Sequence, residues 1–248
     1  MKPLVSVIAV TNRPLFTPGL LKMFEAQTYP NLELILVDGS EGGRCIDRAL
    51  GDIDWLGFNR QFQYIQVKPS APVPAMRNIG MELANGEFMT WLDDDGWHAP
   101  HHIETVLGFL ESEKADAAGI QGLYWTDLNG DFFHYRGTPN FPISGSMVWH
   151  RRCFEKFKFD TGKRKASDHY WINAIRMDKE LRVVSVDDLT VCVAVSHGFN
   201  HSNPRPPSLA RAVGNVSVND FLPDEPHGLK QHLARINEAV KVMQEEKR

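Results

Sequence analysis

Two short apolar runs constrain this chain more than anything else in it. Leu4 to Val10 reads LVSVIAV and Leu32 to Val37 reads LELILV. Near-continuous runs rich in β-branched residues suit strands buried on both faces, the kind found in parallel sheets. Between them, Thr17 is placed to cap a helix with Pro18 in its first turn, and Leu20, Leu21, Phe24 and Ala26 give that helix an apolar side. Tyr29-Pro30-Asn31 ends it. The unit is strand, helix, strand, which fixes the first half as α/β. Ligands of such units bind beyond the carboxyl ends of the strands, so Thr11, Asn12, Arg13 and Asp38 are expected on one rim.

The pattern continues with a short helix over Arg44 to Leu50 and a third strand over Tyr64 to Val67. Pro69, Pro72 and Pro74 then hold an extended linker before a helix from Ala75 to Asn85, closed by Gly86. Arg77 falls in its first turn, where a cation opposes the helix dipole. Either it serves an anion such as a phosphate, or it is a surface arginine with its stem on apolar neighbours. Glu87 to Leu92 is the fourth strand, and it ends in Asp93-Asp94-Asp95. Adjacent carboxylates repel, so they are either well solvated or share a cation. Asp93 and Asp95 point the same way while the chain stays extended, an arrangement that suits a hard divalent ion.

The second half is mixed. Pro100 opens a helix carried by Ile103, Val106, Leu107 and Leu110; Ala117 to Trp125 and Phe132 to Tyr135 flank Asp127-Leu128-Asn129-Gly130-Asp131 as a hairpin. Ser144-Gly145-Ser146 leads to a short helix over Arg151 to Lys156, and Ser167 is placed as the cap of a helix with Asp168 in its first turn. By itself Asp168 is a common helix-stabilising device. His150 to Lys165, HRRCFEKFKFDTGKRK, holds seven Lys or Arg against two acidic residues. Such a run is solvated surface or the seat of an anionic partner. Strands over Arg182 to Val186 and Leu189 to Val195 lead into a loop containing His197 and His201, and an amphipathic helix over His227 to Arg248 ends the chain.

Composition narrows the rest. The net charge is −4 over 248 residues, against wholesale polyanion binding. Cys45, Cys153 and Cys192 lie far apart without metal-knuckle spacing, which fits a reducing, cytoplasmic setting. Neither a signal peptide nor a membrane-spanning run is visible in the sequence.

Four segments in order then resemble the family 2 glycosyltransferases of the GT-A fold: VSVIAVTNRP with LLKMFEAQTYPNLELILVDGS, MRNIGMELANGEFMTWLDDDGWHAP, ISGSMVWHRRCFEKF and ASDHYW. The resemblance covers about residues 4 to 200. It implies a nucleotide-diphospho-sugar transferase fold, with a mixed, mainly parallel central sheet flanked by helices. A catalytic domain would span 1–205, with a sugar-nucleotide-binding half at 1–98, an acceptor half at 99–205, and a C-terminal loop and helix at 206–248. By that resemblance Thr11, Asn12, Arg13 and Asp38 hold the base and ribose, and Arg77 approaches the base or diphosphate. Asp93 and Asp94 reach the ribose and metal shell, Asp95 is the direct ligand of Mn2+ or Mg2+, and His197 completes that shell. Asp168 is the general base of an inverting transfer from a nucleotide-diphospho-sugar, a UDP-sugar first among them. The acceptor is left open, with an anionic glycan or nucleic acid suggested by the basic run. The C-terminal helix is a candidate for oligomerisation. A nucleotidyltransferase and a catalytically silent sugar-nucleotide binder are the competing readings. Three departures stand out: the family often has another Asp where Gly96 stands, its Glu before the base is Ser167, and its arginine after the base is Ala174, with Arg176 two positions late.

Overall fold

The computed structural model describes residues 2–50, 61–128, 132–163, 166–187, 190–200, 211–212 and 226–246. In chain order the elements are β1 (Val5–Thr11), α1 (Thr17–Glu25), β2 (Leu32–Asp38), α2 (Arg44–Leu50), β3 (Gln61–Gln66), α3 (Val73–Leu83), β4 (Phe88–Trp91) and β5 (Trp97–His98). There follow α4 (His102–Ser112), β6 (Ala117–Ile120), β7 (Gly122–Asp127), β8 (Phe132–Arg136), β9 (Val148–His150), α5 (Arg152–Lys156) and α6 (Ser167–Met177). The last are β10 (Val183–Val186), β11 (Cys192–Ser196), β12 (Arg211–Ala212) and α7 (Pro226–Glu245).

A seven-stranded sheet runs β10-β6-β9-β4-β1-β2-β3. Its pairs are parallel except where β9 lies antiparallel between β4 and β6. Thr11 pairs in register with Asp38, which puts the ends of β1 and β2 on one rim as the strand pattern requires. Alternation along the strands sorts the core into two layers. Val5, Val7, Leu34 and Leu36 face α1 and α4 through Leu20, Phe24, Val106 and Leu110, while Ile8, Ile35 and Val37 face α3 through Met76 and Met81. Gly80 lets α3 lie close, since a Cβ there would stand 2.5 Å from Ile8 Cγ2. A five-stranded sheet, β12-β8-β7-β11-β5, sits at the carboxyl edge of the first.

Several boundaries differ from those read in the sequence. Phe16, not Thr17, occupies the N-cap position of α1, and Thr17 Oγ1 instead donates to Arg13 O. Ser167 is likewise the first helical residue of α6, preceded by Ala166 in the left-handed region at φ 52°. The expected strand over Ala117 to Trp125 is two strands on different sheets, broken at Gln121, whose amide donates to Val186 O while its carbonyl accepts from Gly137 N. Residues 129–131 of the hairpin turn, and His201, lie outside the described residues. The C-terminal segment is part of the core: β12 joins β8, Leu229 packs with Met23 and Trp97, and Ile236, Ala239 and Val240 pack with Phe16 and Val195. No helix among the described residues is long and apolar enough to cross a membrane.

Candidate active site

Two adjoining cavities open at the carboxyl ends of β1, β2 and β4. One, of about 770 Å³, is bounded by Thr11, Asn12, Gly39, the Pro69–Val73 segment and, from α7, Met243. The other, of about 340 Å³, is bounded by Asp93, Asp94, Asp95, Arg77, Ser144 and Asp168. Val10, Arg13, Val73 and Asn200 belong to both, so they form one cleft.

The first wall is a charge network that β1 and β4 bring together. Asp94 is buried and takes a two-pronged contact from Arg13, with Nε at 3.1 Å, and accepts from Thr11 Oγ1 at 2.5 Å. Arg13 also reaches Asp95 at 2.9 Å and lies 4.8 Å over the Phe16 ring. Burial works against the Arg13 charge, yet Asp94 and Asp95 more than offset it, so the guanidinium holds its proton more tightly than usual. Both Asp94 oxygens are thus committed to the protein, which makes Asp94 the anchor of Arg13. Asp38 is similar: it accepts from Ser40 N at 2.7 Å, Tyr64 Oη at 2.8 Å and Cys45 N at 3.1 Å, and shapes the turn after β2. Asn12 is exposed on the same rim.

Asp93 and Asp168 meet a different setting. Asp93 opens to the cleft, its side chain 39 % exposed, with Arg77 Nη2 3.6 Å away. Protein crowding on its other sides, helped by Asp95, Asp94 and Asp168, outweighs Arg77 and pushes its carboxyl up to about 6. Arg77 stacks on Trp91 at 4.6 Å and Phe159 at 5.5 Å, and its Nε is buried with no hydrogen-bond partner among the described residues. A buried orphan N–H on a cation is a donor awaiting an anionic acceptor. Asp168, in the first turn of α6, accepts from Ser144 Oγ at 2.6 Å. Burial would raise its carboxyl, but Arg77, Ser144 and the backbone amides of the helix start hold it below the ordinary range. It is an ionised carboxylate at neutral pH.

Whether these residues suit a divalent cation is decided around Asp95. Its Oδ2 lies 3.2 Å from His197 Nε2 and 3.3 Å from Asn200 Nδ2. Arg13 and His197 together overcome burial and hold its carboxyl well below the usual carboxylate range. A carboxylate oxygen and an imidazole nitrogen this close match two neighbouring ligands of an ion with bonds of about 2.1 Å. His197 Nδ1, however, accepts from Phe199 N at 3.3 Å, so Nε2 carries the ring hydrogen and must surrender it before it can ligate. Among the described residues no three His, Cys, Asp or Glu side chains already converge as a ligand cluster. Asp95 Oδ2 thus already serves Arg13, His197 and Asn200, and Asp95 and His197 are residues that would hold a cation, with the rest of its shell left to a substrate's oxygens.

Of the residues read from the sequence, the structure gathers Arg13, Arg77, Asp93, Asp94, Asp95 and Asp168 on one cavity, with His197 against Asp95. Thr11 and Asp38 stand behind the rim, buried. Ser144 and Asn200 went unread; both lie in Ser-, Gly- or Asn-rich stretches, and only tertiary contact distinguishes them from ordinary loop residues.

Comparison with known proteins bears on this arrangement. A sequence profile described as Glycosyl transferase family 2 matches residues 6–183. The chain belongs to glycosyl transferase family 2. Glycosyltransferase GlyA of Streptococcus pneumoniae is 24% identical over 185 residues, 63% of this chain and 26% of that protein. An uncharacterized glycosyltransferase of Haemophilus influenzae is 32% identical over 110 residues, 44% of this chain and 42% of its own length. This chain therefore spans less than half the length of those relatives. Among solved structures, S. aureus TarS 1-349 in complex with UDP-GlcNAc superposes with a TM-score of 0.63 at 16% identity, covering 88% of this chain and 63% of that one. The Pyrobaculum calidifontis mannosyltransferase PcManGT, in complex with GDP-Man and Mn2+, gives 0.63 at 17% identity, covering 81% and 59%. The fold of this family 2 member is GT-A, a mixed, mainly parallel sheet flanked by helices.

Proposed function

We propose that the chain is an inverting glycosyltransferase that moves a sugar from a nucleotide-diphospho-sugar, a UDP-sugar first among candidates, to an acceptor hydroxyl. The observation that carries this reading is the cleft itself: Asp93, Asp95 and Asp168 face one cavity, Arg77 stands beside them with an N–H unpartnered among the described residues, and a second cavity adjoins on the side of Asn12 and Gly39. The larger cavity takes the base and ribose, and the smaller takes the sugar. Asp168, ionised and oriented by Ser144, accepts the proton of the attacking hydroxyl. Arg77 meets charge developing on the diphosphate. Asp95, with Asp93 and a re-oriented His197, would hold Mn2+ or Mg2+, which stabilises the departing diphosphate when bound. Attack from the Asp168 side, opposite the leaving group, inverts the anomeric centre in one displacement.

Four cations of the basic run are engaged within the protein, while Lys163 lies 4.9 Å over the Tyr170 ring and Arg164 and Lys165 lie outside the described residues. Arg151 donates to Ala84 O and Gly86 O, Arg152 pairs with Asp116, Lys156 with Asp178 and Glu180, and Lys158 with Glu82. We read the acceptor as an uncharged hydroxyl compound. Incubation with UDP-, GDP- and dTDP-sugars plus manganese tests the whole reading. Release of nucleoside diphosphate supports transfer, release of sugar 1-phosphate identifies a nucleotidyltransferase, and binding without turnover identifies a silent binder. A product that retains the anomeric configuration removes Asp168 from its role.

A further inference from the structure

Beside the carboxylates, two histidines of the cavity region have no part in the chemistry above. His98 ends β5 and His102 begins α4; both are buried, 4% and 0% exposed. His98 Nδ1 stands 3.2 Å from His102 Nδ1, and His102 Nε2 stands 2.9 Å from the Ser146 carbonyl oxygen. A carbonyl oxygen only accepts, so His102 Nε2 carries the hydrogen. A neutral imidazole has a single N–H, which leaves His102 Nδ1 bare. The close Nδ1 pair then needs its hydrogen from His98 Nδ1. His98 Nε2 is consequently a bare lone pair. Burial keeps both rings neutral, with His102 held down to about 4 and His98 well below its ordinary value.

The surroundings of that lone pair suit a ligand. Among the described residues the one hydrogen bond of His98 is to His102 through Nδ1. Gly96 lies beside Nε2, where a Cβ would stand 3.9 Å away in ordinary van der Waals contact, and both residues line the cavity. On the same cavity, which Leu123, Ile143 and Val193 also line, Trp125 holds an indole N–H that is buried without a partner among the described residues. The lining of this cavity thus includes an acceptor lacking a donor and an N–H lacking an acceptor among the described residues, together with apolar side chains. A hydroxyl answers both polar needs, and the C–H face of a sugar ring answers the third.

We propose that His98 is the specificity-determining acceptor for a sugar hydroxyl, presented in its Nδ1–H form by His102 beside Gly96. The proposal rests on the glycosyltransferase reading and deepens it, since it names how the smaller cavity recognises a sugar. The hydroxyl belongs either to the transferred sugar or to an acceptor sugar.

Two measurements test this on the full chain. Long-range 15N–1H correlation spectra of the histidine-labelled protein, assigned with H98Q, should show His98 protonated at Nδ1 and His102 at Nε2. A His98 protonated at Nε2 overturns the proposal and needs no substrate. The second measurement compares H98F and H98Q with the wild type, using whichever nucleotide sugar the wild type turns over, together with deoxy analogues lacking single hydroxyls. A site built around a hydroxyl rejects the analogue lacking it, so H98F should lose about ten-fold or more of that discrimination while nucleoside diphosphate affinity stays within about two-fold. H98Q, which keeps an acceptor, should recover part of it. Loss of discrimination in acceptor-free donor hydrolysis assigns the hydroxyl to the transferred sugar, and loss only among deoxy acceptors assigns it to the acceptor. Unchanged discrimination in both arms overturns the proposal, as does an equal loss of nucleoside diphosphate affinity. A wild type that turns over no nucleotide sugar sinks the glycosyltransferase reading instead, and the tautomer spectra still judge His98.

Discussion

The two walls of the cleft are built on opposite principles. On the β1 side, Arg13, Asp94, Asp95 and Thr11 satisfy one another in a closed network, with Asp94 almost fully buried. On the α6 side, Asp168 is held by the Ser144 hydroxyl and the start of a helix entered through the left-handed Ala166, while Arg77 beside it keeps an N–H unpartnered among the described residues. A closed network fixes shape, because removing one member leaves buried charge behind. An open one leaves bonding capacity for a substrate. Arg13, Asp94 and Thr11 of the first wall should therefore answer to mutation through stability, and the second wall through turnover.

The sharpest break of that contrast is D168N. An amide cannot take the proton of an attacking hydroxyl, so transfer should fall by about 10²- to 10⁴-fold. Nucleoside diphosphate affinity, measured by calorimetry, should stay within about two-fold because Asp168 lies away from the larger cavity. Affinity falling in step with turnover would erase the distinction between the walls. R13A addresses the other wall. It strands Asp94 in the interior without its cation, and urea unfolding should show a loss of about 3–5 kcal/mol. A stable R13A whose sole defect is in turnover would mean that Arg13 belongs to the chemistry.

How much of this was readable in the sequence follows the same divide. The parallel sheet, the rim and the acidic turn announce themselves because buried strands and adjacent carboxylates have local signatures. The partition within Asp93-Asp94-Asp95 does not. Three identical residues are assigned to Arg13, to His197 and to the open cleft only by what folds against them. The break at Gln121 has a related reason: Ala117 to Trp125 carries one polar residue, Gln121, in an otherwise mainly apolar run, and the change of sheet is dictated by partners, Val186 and Gly137, that lie elsewhere in the chain. His98 and Ser144 are single polar residues whose meaning is wholly tertiary.

Glu33 extends the logic of the closed wall to the floor of the sheet. It is fully buried in β2 and accepts from Ser6 Oγ at 2.5 Å, Asn85 N at 2.6 Å and Gly86 N at 3.2 Å, tying β1 and β2 to the turn before β4. Burial would raise its carboxyl, but these donors hold it below the ordinary value. The folded chain therefore binds this proton less readily than the unfolded one. Its contribution is complete above the unfolded carboxylate range, about pH 4.3, and disappears as pH falls through the lower folded value. E33Q should cost about 1–3 kcal/mol at neutral pH and flatten that acidic part of the stability curve. A variant whose acid sensitivity equals the wild type's would show that the carboxylate's charge is not what the turn uses.

The smallest expected effect belongs to Lys158, outside both walls. It pairs with Glu82 at 2.5 Å on the surface, with the two side chains 56% and 52% exposed, and its ammonium lies 5.3 Å over the Phe154 ring. Exposed pairs of this kind contribute little, so K158A should leave both unfolding and transfer nearly unchanged. The measurement that matters is transfer rate against ionic strength. If the basic segment gripped an anionic acceptor, the wild-type rate would fall steeply with salt and K158A would lower that slope. Because Arg152, Lys156 and Lys158 already spend their charge on Asp116, Asp178, Glu180 and Glu82, leaving Lys163, over the Tyr170 ring, without an acidic partner among the described residues, a flat profile for both proteins is the expected outcome. A steep profile that K158A relaxes would move the acceptor onto this surface and give the open wall a charged extension.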